Sequence, residues 1–114
     1  MSDICVLGNF VADNSFYADK LPVKGQTIFG NGYNIGPGGK GSNQAIAAAR
    51  LGSKVNFLGK VGDDDNGKMA LELYKKNKID SKTVFVSKDH PTGVAGIMVN
   101  KSDGTNAIIV YPGA

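Results

Sequence analysis

The sequence predicts an α/β protein with a parallel core and a β-rich final third. Three observations predict it. The continuous apolar run Ile4-Cys5-Val6-Leu7 stops at Gly8, as a strand buried on both faces of a parallel sheet does. An alanine-rich run from Ala45 to Leu51 leads into an apolar strand over 54–61, the helix-then-strand order of parallel units. From Thr83 onward, β-forming runs alternate with turn residues.

Composition narrows the class. The sequence has 114 residues, 41% of them hydrophobic and 20% charged. That is enough to bury one core, and it reads as globular. Thirteen basic and ten acidic residues leave a net charge of +3, spread along the chain, which argues against nucleic acid as a partner. No apolar stretch reaches the about 18 residues of a membrane span. No signal-peptide pattern precedes Ile4, so a cytoplasmic protein is expected. Cys5 is the only cysteine. It excludes an internal disulfide and, within its apolar run, is expected to be a buried, inert thiol.

Taken in order, the first strand leads to a less regular stretch, Val11 to Tyr17, with Asp13 and Asn14 just past the strand end. Strand ends are where open α/β sheets place ligands. A turn or capping role for Asp13 is the competing reading. Leu21 to Gly25 reads as a turn. Gln26 to Ile35 reads as a second strand, interrupted by Gly30 and Gly32. Those glycines assign it to an edge or an accessory sheet.

Residues 36–44, Gly36-Pro37-Gly38-Gly39-Lys40-Gly41-Ser42-Asn43-Gln44, hold four glycines within six positions and open a helix over about 40–51. Such a bare loop lets backbone approach a ligand closely, and the helix start presents free N–H groups. Lys40 adds charge and Asn43 an amide. A small polar or anionic ligand is expected here. Gly52 is placed to close the helix in a left-handed conformation. The strand over 54–61 is followed by Gly62-Asp63-Asp64-Asp65-Asn66-Gly67 and a helix over about 64–77. Asp63 or Asp64 is expected to cap it. Residues 83–87 read as a strand, His90 to Gly93 as a turn, and 94–100 with 106–111 as a hairpin around 101–105. The sequence ends at Pro112-Gly113-Ala114, directly after a strand, and a fragment of a longer chain is expected.

Several chemistries can be weighed at these motifs. Gly36-x-Gly38-x-x-Gly41 matches the dinucleotide spacing, and acids follow at 63–65. That fingerprint should come directly after the first buried strand, which here ends at Gly8. A dinucleotide-binding oxidoreductase fragment therefore stays only as an alternative. A Walker A loop needs glycine at 34 and Ser or Thr at 41, where Asn34 and Gly41 stand. A calcium loop from Asp63 needs glycine at 68 and glutamate at 74, where Lys68 and Tyr74 stand. No metal site is expected. His90, the only histidine, has no evident partner and is expected to be a loop residue. No serine shows a histidine–acid constellation, so nucleophilic hydrolysis is unsupported.

At Pro37-Gly38-Gly39-Lys40-Gly41-Ser42-Asn43-Gln44-Ala45 the chain resembles the N-terminal signature of ribokinase and its relatives, the PfkB family of carbohydrate kinases. Gly8 through Asp13, Pro22-x-x-Gly25-x-Thr27, Gly62-Asp63-Asp64-x-x-Gly67 and Thr92-Gly93-Val94-Ala95 resemble further segments of that family, in order. The resemblance implies a ribokinase-like fold. The expected parts are a partial three-layer α/β core, about 1–10 and 38–80, and a small β-sheet lid, about 11–35 and 83–111.

It also implies ATP-dependent phosphoryl transfer to a sugar hydroxymethyl group. Asp13, Gly38, Gly39, Lys40 and Asn43 would bind the sugar, Ala95 and Ile97 would supply an apolar wall, and the double glycine would act as a hinge for lid closure. A homodimer through the lid sheet is implied. Ribokinases usually carry an asparagine where Val11 stands, so one sugar contact differs. The family's Gly-Ala-Gly-Asp motif is absent. The resemblance therefore implies no catalytic residue in these 114 residues, no kinase activity of them alone, and ATP and Mg bound mainly by a missing C-terminal portion. A non-catalytic sugar-binding or dimerisation module is the remaining alternative.

Overall fold

A computed structural model describes residues 3–114. Among them the chain builds two sheets and two long helices, in the order β1 (Ile4–Leu7), β2 (Val11–Ala18), β3 (Gly32–Gly38), α1 (Lys40–Arg50), β4 (Val55–Gly62), α2 (Asp65–Lys76), β5 (Val84–Ser87), β6 (Gly93–Asn100) and β7 (Asn106–Tyr111). The first sheet is parallel, in the order β1-β4-β5; the second is mixed, in the order β3-β2-β6-β7. The first sheet and the helices form the core, and the second sheet forms the lid.

The core follows from the helix faces. α1 turns Ser42, Ala45 and Ile46 inward, and the small Ser42 and Ala45 let it lie close to the sheet. The approach is closest at Gly8 and Gly41, where a Cβ on either would stand 2.8 Å from the other's Cα. α2 is capped by Asp64, whose Oδ1 accepts from the Gly67 N–H at 2.8 Å. Lys75 and Lys76 occupy its last turn, where the helix dipole favours cations. Tyr74 on α2 is fully buried. Its ring lies 4.8 Å from Phe57 and meets Phe10 edge-on at 6.4 Å. Its hydroxyl shares a 2.9 Å hydrogen bond with Ser42 of α1. Burial pushes the phenol up to about 12, partly opposed by that bond. A buried hydroxyl thus has a partner, as it must where water is excluded.

Four readings of the sequence need correction. β1 is not buried on both faces: Leu7 is 77% exposed and Cys5 is exposed. It lies at the edge of its sheet, so one side has no neighbouring strand among the described residues. The stretch from Val11 to Tyr17 belongs to a regular eight-residue strand, Val11–Ala18, that is central in the lid. Its polar residues disguise the alternation, because one face carries Asp13. Residues 26–31 form no strand; β3 starts at Gly32 and takes in Gly36 and Gly38. Phe29 is 98% exposed there and contributes no burial to hold a strand. Finally, 83–87 does not join the lid that the resemblance implies for it. β5 pairs with β4 in the core, Gly59 opposite Val84 and Gly62 opposite Ser87. β-propensity is the same in either sheet, so composition could not choose between them.

Candidate functional site

A cleft of about 650 Å3 opens between the lid sheet and the start of α1. Strand alternation sorts its walls. Asp13 of β2 pairs with Gly36 of β3 and Ala95 of β6, and Ala95 pairs with Val110 of β7. In the neighbouring row Ser15 pairs with Ile97, and Ile97 with Ile108. The carboxylate therefore stands between a glycine and an alanine, on a face that also carries Ile97, Ile108 and Val110. Opposite lie Gly39, Lys40, Gly41, Asn43 and Gln44, with Asn9 at the end of β1.

Glycines are required at two of these positions. Gly38 is buried against the Asp13 carboxylate, which fills the space a Cβ would take. Gly39 caps α1 at φ 97°, in a region that L side chains rarely adopt, and a Cβ there would meet the Asn9 carbonyl. No side chain caps the helix at Gly39, so the first N–H groups of α1 are left for other partners. Burial raises the Asp13 carboxyl above the usual aspartate range. No described residue donates a hydrogen bond to it. A partly desolvated carboxylate without a donor is poised to accept from hydroxyls.

The structure thus gathers Asp13, Gly39, Lys40, Asn43, Ala95 and Ile97 in one cleft, with Gly38 directly behind Asp13. Asn14 points elsewhere, its amide bonded to Tyr33, Ala12 and Ala95. Asn9, Gln44, Ile108 and Val110 also line the cleft and were not anticipated. The hairpin register over 101–105 could have found Ile108 and Val110, because it sets them beside Ile97 and Ala95. The motif Gly36-x-Gly38-x-x-Gly41 leaves an antiparallel edge strand of the lid. It does not follow a core strand, so the dinucleotide geometry is missing. His90 is an exposed residue outside helix and strand.

The outer face of the lid carries a second groove of about 640 Å3, lined by Phe16, Leu21, Ile28, Met98 and Ile109 among others. It is overwhelmingly apolar and offers few groups to orient a polar ligand.

The chain is 40% identical over 114 residues to a ribokinase of Bacillus subtilis (strain 168), covering all of this chain and 38% of that protein. It is 43% identical over 117 residues to a deoxyribokinase of Salmonella typhi, covering 98% of this chain and 36% of that one. The structure of Arabidopsis thaliana ribokinase complexed with ribose and ATP superposes with a TM-score of 0.87 at 35% identity, over 99% of this chain and 36% of that one. The chain thus spans well under half the length of these relatives. The fold is ribokinase-like. The family profile described as pfkB family carbohydrate kinase matches residues 1–114, and the chain belongs to that family.

Proposed function

We propose that this chain is the sugar-binding part of an ATP-dependent carbohydrate kinase, and that the cleft between the lid and α1 holds the sugar. One observation carries the reading: the donor-free Asp13 carboxylate faces Lys40, Asn43 and the open start of α1 across a cleft whose lid side is lined by Val11, Ala95, Ile97, Ile108 and Val110. A carboxylate can accept from two hydroxyls, and an asparagine amide can both donate and accept. Ala95, Ile97, Ile108 and Val110 would lie against the carbon face of the ring and exclude water. In the transfer, a sugar hydroxymethyl oxygen would bond to the γ-phosphorus of ATP as the bond to ADP breaks, its proton passing to a base outside this sequence. This chain's residues would position that oxygen and close off solvent, which matters most in a reaction governed by positioning.

ATP and Mg would be held mainly by residues outside this sequence. Among the described residues no three of His, Cys, Asp and Glu stand together to ligate a metal ion. The reading places the protein in the cytoplasm, where ATP is available. The outer groove of the lid is proposed as a homodimer surface. Ile109, 78% exposed on β7, would be buried there. Ile109→Glu should convert a dimer of the full-length protein to a monomer in sedimentation. A native protein that already sediments as a monomer would remove this part of the proposal.

Val11 refines the substrate. Its side chain lines the cleft without any hydrogen-bonding group, so the site suits a pentose with one hydroxyl fewer than ribose. The similarity to a deoxyribokinase supports this choice. The test is ATP-dependent phosphorylation of ribose and 2-deoxyribose by the full-length protein. 2-Deoxyribose should be taken at least as well as ribose. Val11→Asn should shift the kcat/KM ratio toward ribose by about tenfold, the worth of one hydrogen bond. Sugar binding without phosphorylation would favour the non-catalytic module.

A further inference from the structure

Among the described residues the chain crosses between core and lid at three places: Gly8 to Phe10, Gly39, and Pro91 to Gly93. These crossings are held very differently. At Gly39 the backbone has a positive φ and no side-chain cap. At Thr92 the backbone is clamped. Thr92 is 1% exposed. Its hydroxyl donates to Asp64 Oδ1 at 2.6 Å and accepts from the Gly62 N–H at 2.8 Å. Its own N–H donates to Asp64 Oδ2 at 2.9 Å. The carboxylate that caps α2 therefore also grips the first turn of chain entering β6.

The surroundings are shaped to this grip. A Cβ at Gly62 would stand 2.5 Å from the Thr92 nitrogen, and one at Gly67 would stand 3.1 Å from the Thr92 hydroxyl. Gly62-Asp63-Asp64-x-x-Gly67 and Thr92-Gly93, far apart in sequence, are thus two halves of one joint. Gly93 in turn lies against the carbonyls of Phe10 and Pro112, and the Ala114 N–H donates to Pro91 at 2.7 Å. The crossing at Phe10 and the residues that follow β7 are therefore packed onto the clamped one. Three residues beyond Thr92, Ala95 lies beside Asp13 in the cleft.

We infer that the Asp64–Thr92 clasp is the fixed pivot of the lid on the core, and that both residues position the wall of the sugar cleft. Charge-assisted hydrogen bonds from a buried hydroxyl and an amide resist displacement. The pivot itself needs no ligand; its effect on sugar rests on the function proposed above.

The test uses the full-length protein with Cys5→Ser, because that thiol is exposed, and with any other reactive thiol removed. Spin labels are placed on cysteines introduced at Lys76 in the core and Lys101 in the lid, both exposed. The distance distribution should be narrow in this background and in Thr92→Ser. It should be clearly broader in Thr92→Val. Asp64→Asn should broaden it too; asparagine still caps a helix, so this variant keeps α2 while losing the acceptor for the Thr92 N–H. Where the unlabelled parent binds ribose or 2-deoxyribose, Kd should rise about tenfold in Thr92→Val, the worth of one or two such bonds, and return in Thr92→Ser. Native-width distributions in Thr92→Val and Asp64→Asn overturn the pivot, whatever their stability. A parent that binds neither sugar overturns the functional reading, and the label widths still decide the pivot.

Discussion

Asp13→Ala should weaken sugar binding to the full-length protein by about 1.5–3 kcal/mol, the usual cost of losing hydrogen bonds to a charged group. Titration calorimetry with 2-deoxyribose and ribose measures it, and ATP affinity should change little. Stability should not fall with it. Burial holds the Asp13 carboxyl above its ordinary value, so its folded-state pKa exceeds its unfolded one. The ionised form then opposes folding at neutral pH, and that opposition is relieved as pH drops through the raised value. Removing the carboxylate should leave the urea midpoint unchanged or slightly higher. The same shift sets a pH dependence for binding. Sugar affinity should decline on acidification, beginning at a higher pH than an exposed aspartate would show. An affinity unaltered in the alanine variant would take Asp13 out of the site.

Gly39→Ala is expected to cost about 2–4 kcal/mol of stability and to abolish sugar binding. Two effects combine. The residue holds φ 97°, which a side chain opposes, and its Cβ would run into the Asn9 carbonyl. Relief requires moving either the end of β1 or the first turn of α1, and both line the cleft. Gly52→Ala is the control. It has a similar φ of 101° but nothing within 4 Å of the added methyl, so it should lose less stability and keep the site intact. Urea denaturation of both variants, with calorimetry, separates strain from collision. Equal losses would show that the contact with Asn9 is unimportant.

The two halves of the site were unequally legible. Gly38, Gly39, Lys40 and Asn43 stand within six residues at a helix start, a local pattern with a local physical meaning. Asp13 was marked by its position past a strand, which left a turn role equally open. What distinguishes it is the glycine behind it and the alanine beside it, and these come from strands more than twenty and eighty residues away. Val11 and Ala95 were noticed through the family resemblance. Val110 and Ile108 were missed although the hairpin places them beside residues that were named.

The helices and the hairpin turn were read from the sequence alone, and so was the Asp64 cap, one of the two acids expected there. Apolar spacing, capping chemistry and turn residues act over a few positions, so a single stretch of chain carries the whole signal. Tertiary structure decided which sheet each strand joins. β5 belongs to the core although its composition matches the lid, and the polar-faced stretch at 11–18 became the central strand of the lid. It also decided that Asp64 grips Thr92 across 28 residues. Strand partners and long-range hydrogen bonds depend on what the rest of the chain brings alongside, and no local run of residues contains that information.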